Sequence, residues 1–199
     1  MKQTIFFDLG NVLIFFSHQK MCRQIASAYE TSPELIYDAY FKNKLSELYE
    51  LGEVTSDELR SHLNRTFNKE VGFLDLMQAA SNIFEPNTEL YPLVKKLKEQ
   101  GSRLVLLSNT CEAHFNYAYS HYPVLKLFDD FLLSYELKLQ KPDPRIFQKA
   151  LALAHGNPCI YTDDLGENIK AAKKVGLGGV RYTSPRSLEA HLIKRGFLT

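Results

Sequence analysis

"TIFFDLGNVLIFF", residues 4–16, decides how the chain is read. Its first four residues are apolar, β-branched or aromatic, and too few for a helix, so they describe a buried strand. The run stops at a single carboxylate, Asp8, and Gly10 breaks the pattern before apolar residues resume. In an open parallel sheet, ligands bind outside the carboxyl ends of the strands. An acid at the tip of such a strand is therefore a candidate for chemistry rather than for packing.

Working outward, "RLVLLS" at 103–108, "CIYT" at 159–162 and "GVRY" at 179–182 have the same character, and "FDDFLLS" at 128–134 is a weaker fifth run. Helical patterns separate them. "NTELYPLVKKLKEQG" puts Leu90, Leu93, Val94 and Leu97 on one face and stops at Gly101. "DPRIFQKALALAHG" places Asp143 as N-cap, Pro144 at the first helical position and Gly156 at the end. "ENIKAAKKVGLGG" is a further amphipathic helix. The alternation predicts an α/β fold with a doubly wound parallel sheet. Residues 17–85 interrupt it with helix starts alone: Ser32 before Pro33, and Thr55 with Glu58 spaced as a capping box. The expected organisation is a Rossmann-like core from residues 1–16 and 86–199, with 17–85 inserted as a small α-helical cap over the sheet.

Composition narrows the function classes. Twenty-four Lys and Arg against 23 acids give a formal net charge of +1, which points away from nucleic acid and anionic membranes as partners. Cys22, Cys111 and Cys159 are an odd set without C-x-x-C spacing, as expected in a reducing cytosol. Without a signal peptide pattern or an apolar run near ~20 residues, the expected location is cytoplasmic.

Polar residues close several of the strands at one edge: Asp8, Ser108 with Asn109, and Asp163 with Asp164. Lys141 in "KPDP" stands at the head of a helix just past the weaker run. Taken singly, each is an ordinary turn former, helix cap or solvated lysine; their convergence is what carries weight. Three crowded carboxylates resist ionisation unless a cation sits among them. A hard divalent ion such as Mg2+ suits oxygen ligands and phosphate oxygens. An ammonium, hydroxyl and helix N-termini would complete a phosphoryl site. An aspartate can itself attack phosphorus and form an aspartyl-phosphate.

The motifs "FFDLGNVL", "LVLLSNT", "KPDPRIF" and "YTDDLGENIKAA" occur in that order over essentially the whole chain. Together they resemble the haloacid dehalogenase superfamily, in the subfamily whose helical cap follows the first motif. "DLGNVL" and "DDLGEN" look most like bacterial sugar-1-phosphatases and the phosphatase domain of soluble epoxide hydrolases. The resemblance implies that Asp8 is the nucleophile, Ser108 a phosphate-oxygen donor with Asn109 beside it, and Lys141 the stabiliser of phosphoryl charge. It implies Mg2+ bound by Asp8, the Gly10 carbonyl and Asp164, with Asp163 as a ligand or a partner behind one, and Asn168 orienting the acid pair. The expected activity is hydrolysis of a small phosphorylated metabolite, such as a sugar phosphate, by a monomer or homodimer.

Gly10 departs from that pattern. Most phosphatases of the superfamily carry a second Asp there, which protonates the leaving oxygen and later activates water, a shuttle worth ~10²–10⁴ in rate. Three accounts are open: a substrate with an acidic leaving group, such as an anomeric phosphate; a substitute from the cap, with His18 the nearest titratable residue; or loss of turnover. The gap also fits a metal-independent 2-haloacid dehalogenase, although the Asp163–Asp164 pair suits a cation. A non-catalytic phospho-acceptor module remains as a third class, but its acid pair would follow the first strand. Cys111, His114 and His121 fall short of a zinc ligand set, and read instead as part of an aromatic helix face with Tyr117 and Tyr119. "KNKLSELYELGE" at 42–53 reads as a solvated amphipathic helix, whose Tyr49 and Glu50 are the residues nearest to a pocket role.

Overall fold

The computed structural model describes residues 3–198. The chain opens on β1 (Thr4–Phe7) and β2 (Ile14–Phe16). Helices α1 (His18–Tyr29) and α2 (Pro33–Tyr37) follow, then a π-helical turn (Asp38–Lys42). Next come α3 (Leu45–Glu50), α4 (Ser56–Phe67) and α5 (Phe73–Ser81). β3 (Phe84–Pro86), α6 (Tyr91–Glu99), β4 (Arg103–Ser108) and α7 (Glu112–His121) continue the chain. It finishes through β5 (Asp130–Leu133), α8 (Ser134–Leu137), α9 (Pro144–Leu153), β6 (Cys159–Asp163), α10 (Gly166–Lys174), β7 (Gly178–Arg181) and α11 (Pro185–Lys194).

Five parallel strands run in the order β5-β4-β1-β6-β7, the doubly wound sheet expected from the alternation of apolar runs and helices. Successive side chains leave a strand on opposite faces, so Ile5 and Phe7 join one apolar layer and Phe6 the other. Leu93, Val94 and Leu97 of α6, with Leu188 and Leu192 of α11, cover the first layer. Ile146, Phe147 and Ala150 of α9, with Ile169 and Ala172 of α10, cover the second. The helix starts follow the sequence signals. Asp143 accepts from the Arg145 N–H, Ser32 from the Leu35 N–H, and Thr55 and Glu58 form the reciprocal capping box. Each such cap typically contributes ~1 kcal/mol.

Register positions the chemistry. Phe7 pairs with Leu106 on β4 and with Thr162 on β6. Asp8 therefore leaves β1 level with Asp163, while Ser108 closes β4. The chain proceeds from β1 to β4 and β5 on one side, then returns to β6 and β7 on the other. Ligand crevices of open sheets lie at this reversal, and Asp8 and Asp163 flank it.

Residues 18–83 pack around their own apolar cluster, including Met21, Ile25, Ile36, Leu59, Leu63 and Leu76. The sequence suggests helix starts alone over 17–85, but Phe84 and Glu85 belong to β3, which pairs antiparallel with β2, so the two chain passages that flank 18–83 run side by side. Three-residue strands containing Pro86, with Phe15 and Phe16 exposed, are too short to show a period of two. Within 42–53 the helix is confined to Leu45–Glu50, because Lys44 adopts a left-handed φ of 58°. The run at 128–134 is extended over Asp130–Leu133 alone, and Ser134 begins a helix.

Candidate active site

Lys141 is the centre of the site. It lies in the loop between α8 and α9, with its side chain 2% exposed. Its Nζ donates to Asp8 Oδ1 at 2.7 Å and to Asp163 Oδ2 at 2.8 Å. Asn109, just past β4, fixes the lysine from behind. Its Nδ2 donates to the Lys141 carbonyl at 2.9 Å, and its Oδ1 accepts from the Lys141 N–H at 2.8 Å. The amide expected to meet substrate is thus engaged on the backbone of its neighbour. Asp163 is saturated: Oδ2 also accepts from Asn168 Nδ2 at 3.0 Å and from the Tyr161 hydroxyl, and Oδ1 accepts from the Leu165 N–H at 2.7 Å.

Charges this deep act on one another strongly. Burial raises the Asp8 carboxyl to about 7; Lys141 pulls it down and Asp163 pushes it up. Burial alone would lower the Lys141 ammonium, but Asp8 and Asp163 outweigh it and hold it above its usual value. Asp164, half-buried at the end of β6, is raised by burial and then by Asp163.

Asp8, Asp163 and Asp164 each present an oxygen within 4.8 Å of the other two. Their availability differs. Asp8 Oδ1 is taken by Lys141 and by the Leu9 N–H at 2.7 Å, and among the described residues no donor reaches Oδ2. Asp164 is held by one long contact, from Asn11 Nδ2 at 3.3 Å. An all-oxygen donor set with two under-used carboxylates fits a hard dication. Asp8 and Asp164 are the better ligands, and the saturated Asp163 serves Lys141. Among the described residues the histidines form no second centre: His114 Nε2 is bonded to the Ala80 carbonyl at 3.1 Å, and His121 stacks on Tyr117 with centroids 3.9 Å apart.

Beside this cluster is a small cavity of about 60 Å³. Leu9, Gly10, Ser108 and Thr110 line its core side, and His18, Glu50 and His114 line the rest with Phe16, Ile83 and Phe84. Ser108 is buried there, and its hydroxyl has one long contact, to the Asn109 carbonyl at 3.3 Å. The place of a side chain on residue 10 is filled: a Cβ on Gly10 would come 2.8 Å from Phe16 Cε1. Burial lowers the His18 imidazole, whose ring lies between Phe16 and Phe41 at 5.0 and 4.8 Å. Of the two residues of 42–53 expected nearest to the pocket, Glu50 lines the cavity, and burial raises its carboxyl to about 7. Its helix is anchored to the core by the Ser134 hydroxyl, which donates to the Glu50 carbonyl at 2.7 Å and accepts from the Thr110 N–H at 2.9 Å.

A model of haloacid dehalogenase-like hydrolases matches residues 2–176. The chain belongs to that family. It is 25% identical over 185 residues to a D-ribitol-5-phosphate phosphatase from Bacteroides thetaiotaomicron, covering 88% of this chain and 89% of the relative. Among solved structures, a haloacid dehalogenase family enzyme from the same organism, in complex with magnesium and inorganic phosphate, superposes with a TM-score of 0.77. That pair is 25% identical, over 92% of this chain and 94% of the other. An L-2-haloacid dehalogenase from Xanthobacter autotrophicus shares the fold at 16% identity, with a TM-score of 0.63 over 100% and 85% of the two chains.

Proposed function

We propose that this chain is a Mg2+-dependent phosphomonoesterase acting on a small phosphorylated sugar or polyol through an aspartyl-phosphate. The observation that carries the reading is the Asp8 carboxylate, fixed by Lys141 and sharing an oxygen cluster with Asp163 and Asp164. A haloacid dehalogenase also needs the aspartate, but a metal-independent one gains nothing from Asp164. The phosphatase relative of similar length supports a phosphorylated polyol as the substrate class.

In this reading the phosphoryl group sits between Asp8 and Ser108, at the edge of the cavity, with Lys141 beside it. Asp8 attacks phosphorus, and the ester oxygen departs toward the helices of residues 18–83, which cap the crevice and select the alcohol. Water then cleaves the acyl phosphate and returns Asp8. A dication held by Asp8, Asp164 and the Gly10 carbonyl would neutralise the phosphate oxygens, the charge stabilisation that phosphoryl transfer needs most. Asp163 and Asn168 keep Lys141 aimed at Asp8. Asn109 sets the backbone of that lysine.

The test is a panel of phosphate esters and 2-haloacids, each with Mg2+ and with EDTA. Phosphate release that needs metal, and that Asp8→Asn abolishes while leaving the circular dichroism spectrum unchanged, is the expected result. Halide release in EDTA selects the dehalogenase instead.

A further inference from the structure

We propose that Glu50, carried in by the helical insertion, is the general acid and base of this site, supplying from α3 the proton that Gly10 has no side chain to give. The inference rests on the phosphatase reading above and assigns its proton-transfer residue. Three titratable side chains face the cavity next to Gly10: His18, His114 and Glu50. His114 spends Nε2 on the Ala80 carbonyl, and burial holds its imidazole down at about 4, so it carries no spare proton near neutrality. His18 is likewise lowered by burial and flanked by two aromatic rings, Phe16 and Phe41. A neutral imidazole is a poor acid. Glu50 remains.

Its placement is built rather than accidental. The Glu50 carbonyl is tied to Ser134, which binds the Thr110 N–H, so the helix end is locked to the turn that lines the cavity. Gln140, the residue before Lys141, donates to Glu50 Oε2 at 3.3 Å, and Glu50 lines the cavity. The Lys138 ammonium holds the Gly52 carbonyl two residues further on. The charged and titratable groups around Glu50 are Lys141, which favours its ionised form, and Glu47, Tyr40 and Cys111, which burial keeps from competing or which oppose it. With burial dominant, both protonation states are populated near neutral pH, which general acid and base work requires.

The proton balance closes. As Asp8 forms its bond to phosphorus, the ester P–O bond breaks and its electron pair stays on the departing oxygen. That oxygen takes the Glu50 proton and leaves as the alcohol. In the second step the Glu50 carboxylate takes a proton from water as the water oxygen bonds to phosphorus. The Asp8–phosphorus bond breaks, and Glu50 is again protonated.

The decisive variant is Glu50→Gln, assayed with Mg2+ on an alkyl phosphate and on 4-nitrophenyl phosphate, whose leaving group needs little protonation. The alkyl ester should lose ~10²–10⁴-fold in kcat/KM, and the aryl ester less than about tenfold in its nitrophenol burst. The fall of wild-type alkyl kcat/KM above neutrality should vanish in the variant, and Glu50→Asp should recover part of the lost rate. Equal losses on both esters, or a retained fall, would overturn the assignment, as would a leaving-group effect that follows His18→Phe instead. Unchanged binding of inorganic phosphate checks that the variant is folded. If the wild type releases no phosphate from either ester, it is the phosphatase reading that fails and not the choice of Glu50.

Discussion

Putting an acid back at residue 10 is not a one-residue repair, because Phe16 occupies the space. A Cβ on Gly10 would lie 2.8 Å from Phe16 Cε1 and 3.3 Å from Cδ1, so the ring must move before a carboxyl can enter. The ring is 37% exposed, and full burial of a phenylalanine is worth ~1.5–3 kcal/mol. Swinging it outward therefore costs about 1–2 kcal/mol of folding stability, in the free enzyme and the transition state alike. A well-placed acid returns ~10²–10⁴-fold in rate. The gain is visible only where Glu50 no longer supplies the proton. In a Glu50→Gln background, Gly10→Asp should accelerate alkyl phosphate hydrolysis and lower the urea-unfolding free energy by about 1–2 kcal/mol, a loss that should vanish when Phe16→Ala is already present. The assays are kcat/KM for an alkyl phosphate and urea unfolding across the four combinations of Gly10→Asp and Phe16→Ala, with 4-nitrophenyl phosphate as the insensitive control. A stability loss of equal size with and without Phe16 refutes the steric argument. No gain in either background refutes the claim that proton supply limits the Glu50→Gln enzyme.

Lys141→Met should cost about 3–5 kcal/mol of stability, the usual penalty for removing one partner of a buried ion pair, and should abolish turnover; an unchanged urea midpoint at pH 7 in EDTA would contradict the central role of its bonds to Asp8 and Asp163. Stability in EDTA should fall as pH rises. Asp8 and Glu50 both stand near 7 in the fold against 3.8 and 4.5 ordinarily, so the folded chain binds the extra protons and loses their contribution as pH climbs from about 4 to 7. Urea melts across that range should show the decline, flattened in Glu50→Gln and opposed by added Mg2+; a midpoint that rises with pH has the wrong sign.

The core was legible because both of its determinants are local. Apolar runs of four to six residues mark buried strands wherever they occur, and polar residues that close parallel strands must gather at one edge. Asp8, Ser108 and the Asp163–Asp164 pair are brought together for that reason, and Lys141 reaches them from the loop before α9. Glu50 was legible only as a residue that could line the pocket, with Tyr49; nothing in "LSELYELGE" gives it a proton-transfer role. Its placement depends on the tie between α3 and Ser134, a contact spanning 84 residues. The obstruction at Gly10 is equally non-local, since it needs the turn after Asp8 to bring Phe16 back over the glycine. Asn109 illustrates a subtler loss. Its neighbour Ser108 suggests a phosphate contact, whereas its two amide atoms match the N–H and carbonyl of Lys141, a pairing that only the fold can bring about.

The charge inventory explains why the nucleophile and the acid stand apart. Asp8, Asp163, Asp164 and Glu50 surround one ammonium, and the protein alone limits the excess negative charge by raising the carboxyls of Asp8, Asp164 and Glu50. Phosphoryl transfer needs two of these groups in opposite states, with Asp8 ionised to attack and Glu50 protonated to donate. Environments that push two carboxyls apart are how one site assigns such roles. Asp8 belongs to the oxygen cluster and ionises when a dication shares it. Glu50 lies outside that cluster and, raised by burial to about 7, is still partly protonated near neutrality. A carboxyl on residue 10 would stand on the same tight turn as Asp8 and feel the same cation. An acid on α3 sits outside the metal-binding oxygens, so its ionisation is set by burial and by Lys141 rather than by a dication shared with Asp8.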